Sequence, residues 1–244
     1  MPIRLLVFDI DGVLSGGEAI GLDLALLGQL AGMNRRARAE PDLPAVTICS
    51  GRPAPYVEAL LQAIDGHLPA VFENGAGLYQ PQGYQFLPHP DLDTRNTMAE
   101  VRRRLDETVI RAGQAYFQPG KEYSLSLFPY RTDEVSRLAG WVEAALGPLN
   151  SGVDLVYSVS CLNILLQGSN KARGIEFLAR QVGVPPEEML GVGDTEVDTG
   201  FLRMVGYSAA PANAVAEVKA VVNYVSPFEA ADSVRDILKY FSVG

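Results

Sequence analysis

Two aspartates lie in an apolar segment near the start of the chain, residues 8–14, with the sequence FDIDGVL. On an extended chain, residues i and i+2 point to the same side, so the carboxylates of Asp9 and Asp11 converge. Such close carboxylates repel each other unless a cation lies between them or one is protonated. The pair also fits a turn that ends a strand. A calcium loop begins in the same way, but Val13 stands where its third oxygen ligand would be.

A Ser50-Gly51-Arg52 sequence follows a second apolar stretch, residues 45–49. The serine hydroxyl and the backbone amide after it can donate hydrogen bonds to a phosphate. The same residues also fit an ordinary capping turn, since serine before a helix usually caps it. Both interpretations stay open at this point.

Lys171 begins a stretch with helical spacing, residues 171–182. A lysine at a helix N-terminus opposes the helix dipole and is mildly unfavourable for the helix alone. The placement is favourable if an anion binds there, because the backbone donors and the ammonium then share it. An exposed surface lysine is the alternative.

A second acidic pair follows the apolar residues 189–192. Asp194 comes just after this predicted strand, and Asp198 lies one helical turn further on, so both can point back at the strand ends. Asp194 alone would also fit a helix N-cap. In chain order, the first acidic pair, the serine, the lysine and the second acidic pair fall at strand ends or at a helix start. Open α/β sheets bind ligands there, and a phosphate and a magnesium ion fit one such site.

Two parts of the chain alternate predicted strands with predicted helices. The strands are residues 3–8, 45–49, 70–72, 189–192, 207–209 and 222–225. The helices between and after them are residues 22–33, 56–64, 171–182, 196–204, 214–220 and 231–241. This alternation predicts an α/β fold, a Rossmann-like parallel sheet with helices on both faces.

The segment between these two parts has a different character. It combines a hairpin pattern at residues 78–84, two amphipathic helical stretches and several short strand-like stretches. Helices segregated from antiparallel strands indicate an inserted α+β module. We therefore predict a core formed by residues 1–80 and 167–244 and a cap formed by residues 81–166.

The bulk composition restricts the partners of the chain. Its 244 residues carry 29 acidic and 20 basic side chains, a net charge of −9, which disfavours binding to nucleic acid. No apolar run approaches the ~20 residues that cross a bilayer, and the N-terminus lacks a cleavage pattern. We expect a cytoplasmic protein with no membrane partner, and nothing indicates its oligomeric state. Cys49 and Cys161 are predicted to be buried thiols, and with only two histidines any metal should be bound by oxygen.

In these motifs the chain resembles the haloacid dehalogenase superfamily of phosphohydrolases. Within it, the resemblance is to the Cof-type branch, which includes sucrose-phosphate, mannosyl-phosphoglycerate and archaeal phosphoglycolate phosphatases. The matching residues are Asp9-Ile10-Asp11-Gly12-Val13-Leu14, Ser50-Gly51-Arg52, Lys171, and Gly193-Asp194 with Asp198. Further similar segments are residues 73–76, ENGA, and residues 211–214, PANA. This branch carries an α/β cap between its second and third motifs, where the unlike segment falls here.

The chain departs from the family pattern at two positions. Val197 stands where the fourth motif usually has asparagine before its last aspartate, so a hydrogen bond near the metal or the lysine is missing. Val13 replaces the more common threonine of the first motif. Neither change removes a reacting group.

The resemblance implies a Mg²⁺-dependent phosphatase that hydrolyses a small phosphate monoester, a phosphorylated metabolite, through an aspartyl-phosphate. It makes Asp9 the nucleophile and Asp11 the general acid and base. The phosphate-binding residues would be Ser50, Gly51 and Lys171. The metal-binding residues would be Asp9, Asp11 through its backbone carbonyl, Asp194 and Asp198. Substrate contacts would come from among Arg52, Asn74, Lys121, Arg131 and Arg95, although a solvated surface position is the alternative for each single cap cation.

Three other functions are compatible with parts of this pattern. A phosphomutase would use the same fold and nucleophile. A phospholigand-binding regulator without activity is supported only by Val197, and the presence of both Asp9 and Asp11 argues against it. A response-regulator receiver domain is disfavoured by the length, the inserted module and the motif order.

Overall fold

The computed structural model of the chain describes residues 2–92 and 94–244, apart from the side chains of Thr94 and Arg95. The strands are β1 (Leu5–Phe8), β2 (Ala45–Ile48), β3 (Ala70–Phe72), β4 (Gly77–Gln80), β5 (Gln85–Pro88), β6 (Ala115–Phe117), β7 (Leu125–Pro129), β8 (Val153–Tyr157), β9 (Leu162–Leu166), β10 (Met189–Val192), β11 (Tyr207–Ala210) and β12 (Tyr224–Val225). The α-helices are α1 (Leu24–Ala39), α2 (Ala54–Ala63), α3 (Thr94–Leu105), α4 (Leu138–Leu146), α5 (Lys171–Val182), α6 (Thr199–Leu202), α7 (Ala216–Lys219) and α8 (Ala230–Tyr240).

A five-stranded parallel sheet forms the centre of the core, in the order β12-β11-β10-β1-β2. β1 lies inside this sheet, paired with β10 on one side and β2 on the other. β3 continues the sheet beyond β2 through a parallel bridge between Cys49 and Val71. The predicted fold class, a parallel sheet with helices and an additional antiparallel sheet, is confirmed.

Both faces of the central sheet are covered, as the continuous apolar sequence of β1 predicts. Leu6 and Phe8 pack into one cluster with apolar residues of α1, α2 and α8. Leu5 and Val7 pack into a second cluster with residues of α5 and α6. Successive strand residues point to opposite faces, so one strand contributes to both clusters.

Local capping fixes where the helices around the site begin. The Asp23 side chain accepts a hydrogen bond from the backbone N–H of Leu26 at the start of α1. The Asn170 side chain accepts from the N–H of Arg173 at the start of α5. Each bond satisfies an N–H that has no partner inside the helix. The cap before α5 therefore sets Lys171 as the first residue of the helix.

The cap has its own antiparallel sheet, in the order β6-β7-β9-β8. Residues of α3 and α4 pack on this sheet in a third apolar cluster, separate from the two core clusters. The hairpin β4–β5 pairs instead with β3, and its residues Phe86 and Leu87 pack against the core clusters. The predicted division at residue 80 thus falls inside this hairpin, and the one at residue 167 falls just after β9.

Two further expectations concern the whole chain. Cys49 and Cys161 are both buried and free, which confirms the prediction of buried thiols. In the part of the chain that the structure describes, no helix combines the length and the apolar character needed to span a membrane.

Candidate active site

The side chains predicted to do chemistry meet at the carboxyl edge of the central sheet. Asp9 directly follows β1, Ser50 lies just beyond β2, and Asp194 lies just beyond β10. β1 pairs in parallel with both neighbours, so the three strand ends reach the same edge. A cavity of about 400 Å³ opens there between core and cap, lined by Asp9 and by Lys121 of the cap among others.

Lys171 is the buried charge at the centre of this edge. Its Nζ lies 2.8 Å from Asp9 Oδ2 and 2.5 Å from Asp198 Oδ1. Burial by itself would lower the pKa of Lys171, but the charges of Asp198 and Asp9 raise it, so the ammonium is retained. The unfavourable interaction of this lysine with the dipole of α5 is therefore compensated by two carboxylates, and any anion that binds would add to the compensation.

Asp198 is fully buried, and both of its oxygens accept hydrogen bonds. Oδ2 accepts from the backbone N–H groups of Asp194 and Thr195, each at 3.0 Å, and from the Thr195 hydroxyl at 3.1 Å. Oδ1 accepts from Lys171. These bonds fix the loop after β10 and orient the lysine. Sequence reasoning missed Thr195, whose only signal in the sequence is that of a residue that caps a helix.

Asp9, Asp194 and Asp198 offer carboxylate oxygens that all lie within 4.8 Å of one another. The Oδ1 atom of Asp194 is buried and has no hydrogen-bond partner among the described residues. Burial, followed by the charges of Asp9 and Asp198, raises the pKa of Asp194 to about 8. Burial also raises the pKa of Asp9 to about 7, against the opposing charge of Lys171. Clustered oxygens, one of them unpaired, are what a hard divalent cation requires, so these residues fit a metal ion.

Gly12 makes this crowding possible. Its φ is +78°, and a Cβ there would collide with the Asp194 carboxylate. The chain therefore turns away directly after Asp11 and leaves room for the acidic side chain from β10.

The predicted phosphate-binding loop lies beside Asp9. Ser50 is buried, and its Oγ accepts from the N–H of Arg52 at 3.2 Å. A Cβ at Gly51 would lie 2.9 Å from Asn74 Oδ1, so the Asn74 amide packs directly on this glycine. Ser50, Gly51 and Asn74 all line the cavity. The structure thus brings the predicted residues of the second motif together with Asn74.

The Asp11 carboxylate lies outside the acidic cluster and pairs with Arg52. Arg52 Nε and Nη2 donate to its two oxygens at 2.7 and 2.6 Å. The hydrogen bond to Asp11 raises the pKa of Arg52 further. Sequence reasoning did not foresee this pair, since 41 residues separate its members. The metal contact predicted for Asp11 concerns its backbone carbonyl and stays a prediction.

The predicted cap cations fall into different environments. Lys121 is buried and lines the cavity, with its Nζ 2.6 Å from Ser126 Oγ and 3.4 Å from Asn163 Oδ1. Arg131 is exposed and pairs with Asp133 on the surface. The side chain of Arg95 lies outside the described residues. Lys121 is therefore the one of these three that the structure places at the cavity.

Glu73 joins core and cap, a role that sequence reasoning missed. Its fully buried carboxylate accepts from the backbone N–H groups of Glu122, Tyr123 and Ser124 at 3.1, 2.9 and 2.7 Å, and from the Ser124 hydroxyl at 2.9 Å. Burial raises the pKa of Glu73, while these donors oppose the rise. The only sequence signal was the likeness of residues 73–76 to a family segment.

The backbone of the same turn contacts the phosphate-binding loop. The N–H of Glu73 donates to the Arg52 carbonyl, and the N–H of Asn74 donates to the Ser50 carbonyl, both at 3.1 Å. Glu73 and Asn74 have φ values of 48° and 55°, a left-handed conformation that is strained for non-glycine residues. One strained turn therefore holds both the loop that would bind phosphate and the cap segment 122–124.

Val197, the departure from the fourth motif, lines the cavity and is 38% exposed. Its side chain offers no donor or acceptor at a position where the family usually has an amide. The structure thus places this apolar residue on the wall of the candidate site.

Comparisons with known proteins agree with this arrangement. A family model of haloacid dehalogenase-like hydrolases matches residues 150–238. The phosphoglycolate phosphatase of Methanopyrus kandleri is 24% identical over 239 residues, which cover 96% of this chain and 95% of that protein. A crystal structure of a Thermoplasma acidophilum protein superposes with a TM-score of 0.77 at 21% identity, with full coverage of both chains. A sugar phosphatase of HAD subclass IIB superposes with a TM-score of 0.69 at 19% identity, covering 99% of this chain and 100% of that one.

In its four ordered motifs, its inserted cap and these matches, the chain is similar to the haloacid dehalogenase-like hydrolases. The relatives that match it over nearly their full length are named phosphatases.

We predict that the metal-free protein loses thermal stability as the pH rises from 5 to 8. The pKa of Asp194, raised to about 8, and that of Asp9, raised to about 7, exceed the ordinary value near 3.8. In this window the folded protein holds protons that the unfolded chain has lost, so the free energy of unfolding falls as pH rises. Melting temperatures measured in a chelator across this range should fall by several degrees.

The variant Asp194→Asn is the control for this measurement, because it removes one of the raised groups. Its melting temperature should depend less on pH than that of the wild type. An equal dependence of melting temperature on pH in the two proteins would contradict the raised pKa of Asp194. Added Mg²⁺ should restore stability most at pH 8, where protons compete least for the carboxylates.

We predict that Glu73→Gln loosens the cap segment 122–124. The variant places an amide NH₂ among three N–H donors, so at least one buried donor loses its acceptor, at a cost of about 1–3 kcal/mol. Amide hydrogen exchange at residues 122–124 should become at least tenfold faster. Glu122→Gln makes the same chemical change at an exposed neighbour and should leave this protection intact. Unchanged amide hydrogen exchange at residues 122–124 in Glu73→Gln would contradict the assignment of Glu73 as the contact that orders this cap segment.

Proposed function

We propose that the chain is a phosphatase of the haloacid dehalogenase superfamily, of the Cof type, and that it hydrolyses a small phosphorylated metabolite, a phosphate monoester, through a phosphoaspartate on Asp9, with Mg²⁺ as its metal. The observation that carries the proposal is the position of Asp9. Its carboxylate lies at the end of β1, lines the cavity, and is oriented by Lys171 at 2.8 Å and by the N–H of Ile10 at 2.7 Å. The relatives and neighbours named phosphoglycolate phosphatase and sugar phosphatase support the same substrate class.

In the first step, one Asp9 oxygen attacks phosphorus in line and the ester oxygen leaves. The product is an acyl phosphate on Asp9, which splits hydrolysis into two easier steps. Lys171 pairs with Oδ2 of Asp9, whereas Oδ1 accepts from the Ile10 N–H alone among the described residues, so Oδ1 is the oxygen that we assign to the attack. In the second step, water attacks phosphorus and restores the carboxylate.

Asp11 would supply the proton to the leaving oxygen and then accept one from the attacking water. The residue follows Asp9 by two positions and lines the same cavity. A positioned acid and base of this kind typically contributes 10²–10⁴-fold to the rate. Both Asp11 oxygens accept hydrogen bonds from Arg52.

The phosphoryl oxygens would be held by three donors from two elements, the loop after β2 and the start of α5. These donors are the Ser50 hydroxyl, the Gly51 amide and the Lys171 ammonium, all at the cavity. Mg²⁺, held by Asp9 and Asp194 with Asp198 beside them, would cancel negative charge between the nucleophile and the phosphate. Fixed donors aimed at the phosphoryl group stabilise it as charge redistributes during transfer.

We predict that Asp9→Asn abolishes phosphate release, because an amide is a far weaker nucleophile than a carboxylate. Release from an aryl phosphate and from a panel that includes phosphoglycolate and sugar phosphates should be Mg²⁺-dependent and fall by roughly 10³-fold or more in the variant. Asp42→Asn, the same change at an exposed position, should keep wild-type activity.

Two outcomes would count against the proposal. Phosphate release that persists in Asp9→Asn would show that Asp9 is not the nucleophile. Phosphate release that a chelator does not change would show that no metal ion is required. Turnover that requires a bisphosphate activator would identify a phosphomutase instead.

We predict that Val197→Asn raises kcat/KM by about two- to tenfold, the worth of one added hydrogen bond at the cavity wall. Steady-state kinetics on the best substrate of the panel would measure it. Val197→Thr, which keeps the shape of valine but does not reach as far, is the matched control. An unchanged or lower value in Val197→Asn would mean that this chain has adapted to the apolar residue.

A further inference from the structure

Arg52 binds the Asp11 carboxylate, which is the proposed general acid and base. Its guanidinium donates to both oxygens of Asp11, and its Cζ lies 5.1 Å from the centre of the Tyr56 ring. A two-point pairing of this kind is among the strongest hydrogen-bonded contacts of a carboxylate. Proton transfer by Asp11 needs an oxygen that is free to carry a proton to the leaving group. In this arrangement both oxygens accept from Arg52, so the guanidinium competes with the leaving group for the oxygen that would carry the proton.

Lys121 is a buried ammonium without a counterion. It is 4% exposed, and the two acceptors of its Nζ, Ser126 Oγ and Asn163 Oδ1, are neutral. Among the described residues, no carboxylate lies within ion-pairing distance of this nitrogen. The Glu73 carboxylate nearby is taken by amides of the cap segment. Neutral acceptors satisfy the N–H groups of a buried ammonium but do not balance its charge.

The two cations, Arg52 and Lys121, line the same cavity. Arg52 comes from the loop after β2 of the core, and Lys121 comes from the cap. They are near enough that the charge of Arg52 contributes to lowering the pKa of Lys121, after burial. An anion between them would relieve this repulsion and give Lys121 the charge that it lacks. Besides Asp9 and Asp11, the acidic residues that line the cavity are Glu18 and Glu196; both are exposed, and Glu18 accepts a hydrogen bond from Ser160.

We propose that the substrate carries a carboxylate beside its phosphate ester, and that this carboxylate binds between Lys121 and Arg52, draws Arg52 away and frees Asp11 for proton transfer. The proposal rests on the proposed function. It makes Lys121 a specificity-determining residue and Arg52 a positioning residue that withholds the acid until the correct substrate is bound. When the substrate carboxylate replaces the Asp11 carboxylate, Arg52 keeps a partner that accepts two hydrogen bonds. A neutral substrate offers no such partner.

This mechanism makes the carboxylate act on the chemical step as well as on binding. A subsite that only binds the carboxylate equally in the ground and transition states would lower KM and leave kcat unchanged. Release of Asp11 raises kcat, because the acid becomes available only when the subsite is filled. The split between kcat and KM therefore separates release from simple binding.

The first test compares two esters of the same length. Phosphoglycolate carries a carboxylate where 2-hydroxyethyl phosphate carries a neutral hydroxymethyl group. Wild-type protein with Mg²⁺ should turn over phosphoglycolate with at least tenfold higher kcat and a lower KM. Equal kcat values would overturn the release of Asp11, and equal kcat/KM values would overturn the subsite altogether.

Variants then assign the effect to the two cations. Lys121→Gln should lose at least tenfold more kcat/KM on phosphoglycolate than on 2-hydroxyethyl phosphate. Arg52→Gln frees Asp11 permanently, so its kcat should rise several-fold on the neutral ester and fall on phosphoglycolate. Arg131→Gln, at an exposed cap arginine away from the cavity, is the control and should keep the wild-type ratio. A loss by the same factor on both esters in Arg52→Gln would overturn the proposal.

Binding to Asp9→Asn protein provides a measurement that does not need turnover. By calorimetry, phosphoglycolate should bind at least tenfold more tightly than 2-hydroxyethyl phosphate, and Lys121→Gln should remove this difference. Equal affinities would overturn the subsite. A failure of the wild type to release phosphate from any ester, the aryl phosphate included, would contradict the proposed function instead, and the affinities would still decide the subsite.

Discussion

The contact between one buried ammonium and two buried carboxylates governs the candidate site. Lys171 lies between Asp9 and Asp198, almost without exposure to solvent. A buried charge is tolerated only when it is paired and hydrogen-bonded, so the three side chains specify one another's positions. Asp198 also accepts from the loop after β10, so the lysine of α5 aligns that loop with the end of β1. The position of the nucleophile therefore depends on this contact.

The site is held in a state of unbalanced negative charge at one end and unbalanced positive charge at the other. Asp9 and Asp194 have raised pKa values because they are buried beside each other and beside Asp198. At the cap side of the cavity, burial lowers the pKa of Lys121, against the opposing charge of Glu73. A cation beside Asp9 and Asp194 and an anion beside Lys121 would each reduce the electrostatic cost of burying these charges. Ligand binding would thus also stabilise the fold.

Sequence reasoning succeeded where local pattern and tertiary role coincide. The continuous apolar sequence of β1 predicted a strand covered on both faces, and the order of the motifs placed Asp9, Ser50 and Asp194 at one edge. It failed where the deciding contact is distant in sequence. The bond of Glu73 to the amides of residues 122–124 spans about 50 positions, and the pairing of Arg52 with Asp11 spans 41. Neither leaves a local pattern. The predicted boundary at residue 80 falls inside the β4–β5 hairpin, whose residues Phe86 and Leu87 pack against the core clusters.

The turn at Glu73 also bears on how proteins of this architecture can diversify. A cap joined to its core by two linkers alone could be exchanged as a module. Here a core residue supplies the acceptor for three backbone amides of the cap, and the same turn binds the phosphate loop through its own backbone. A cap transplanted from a relative would arrive without the carboxylate that orders this segment, unless residue 73 travelled with it. The unit of inheritance for substrate choice is therefore the cap together with this strained turn of the core.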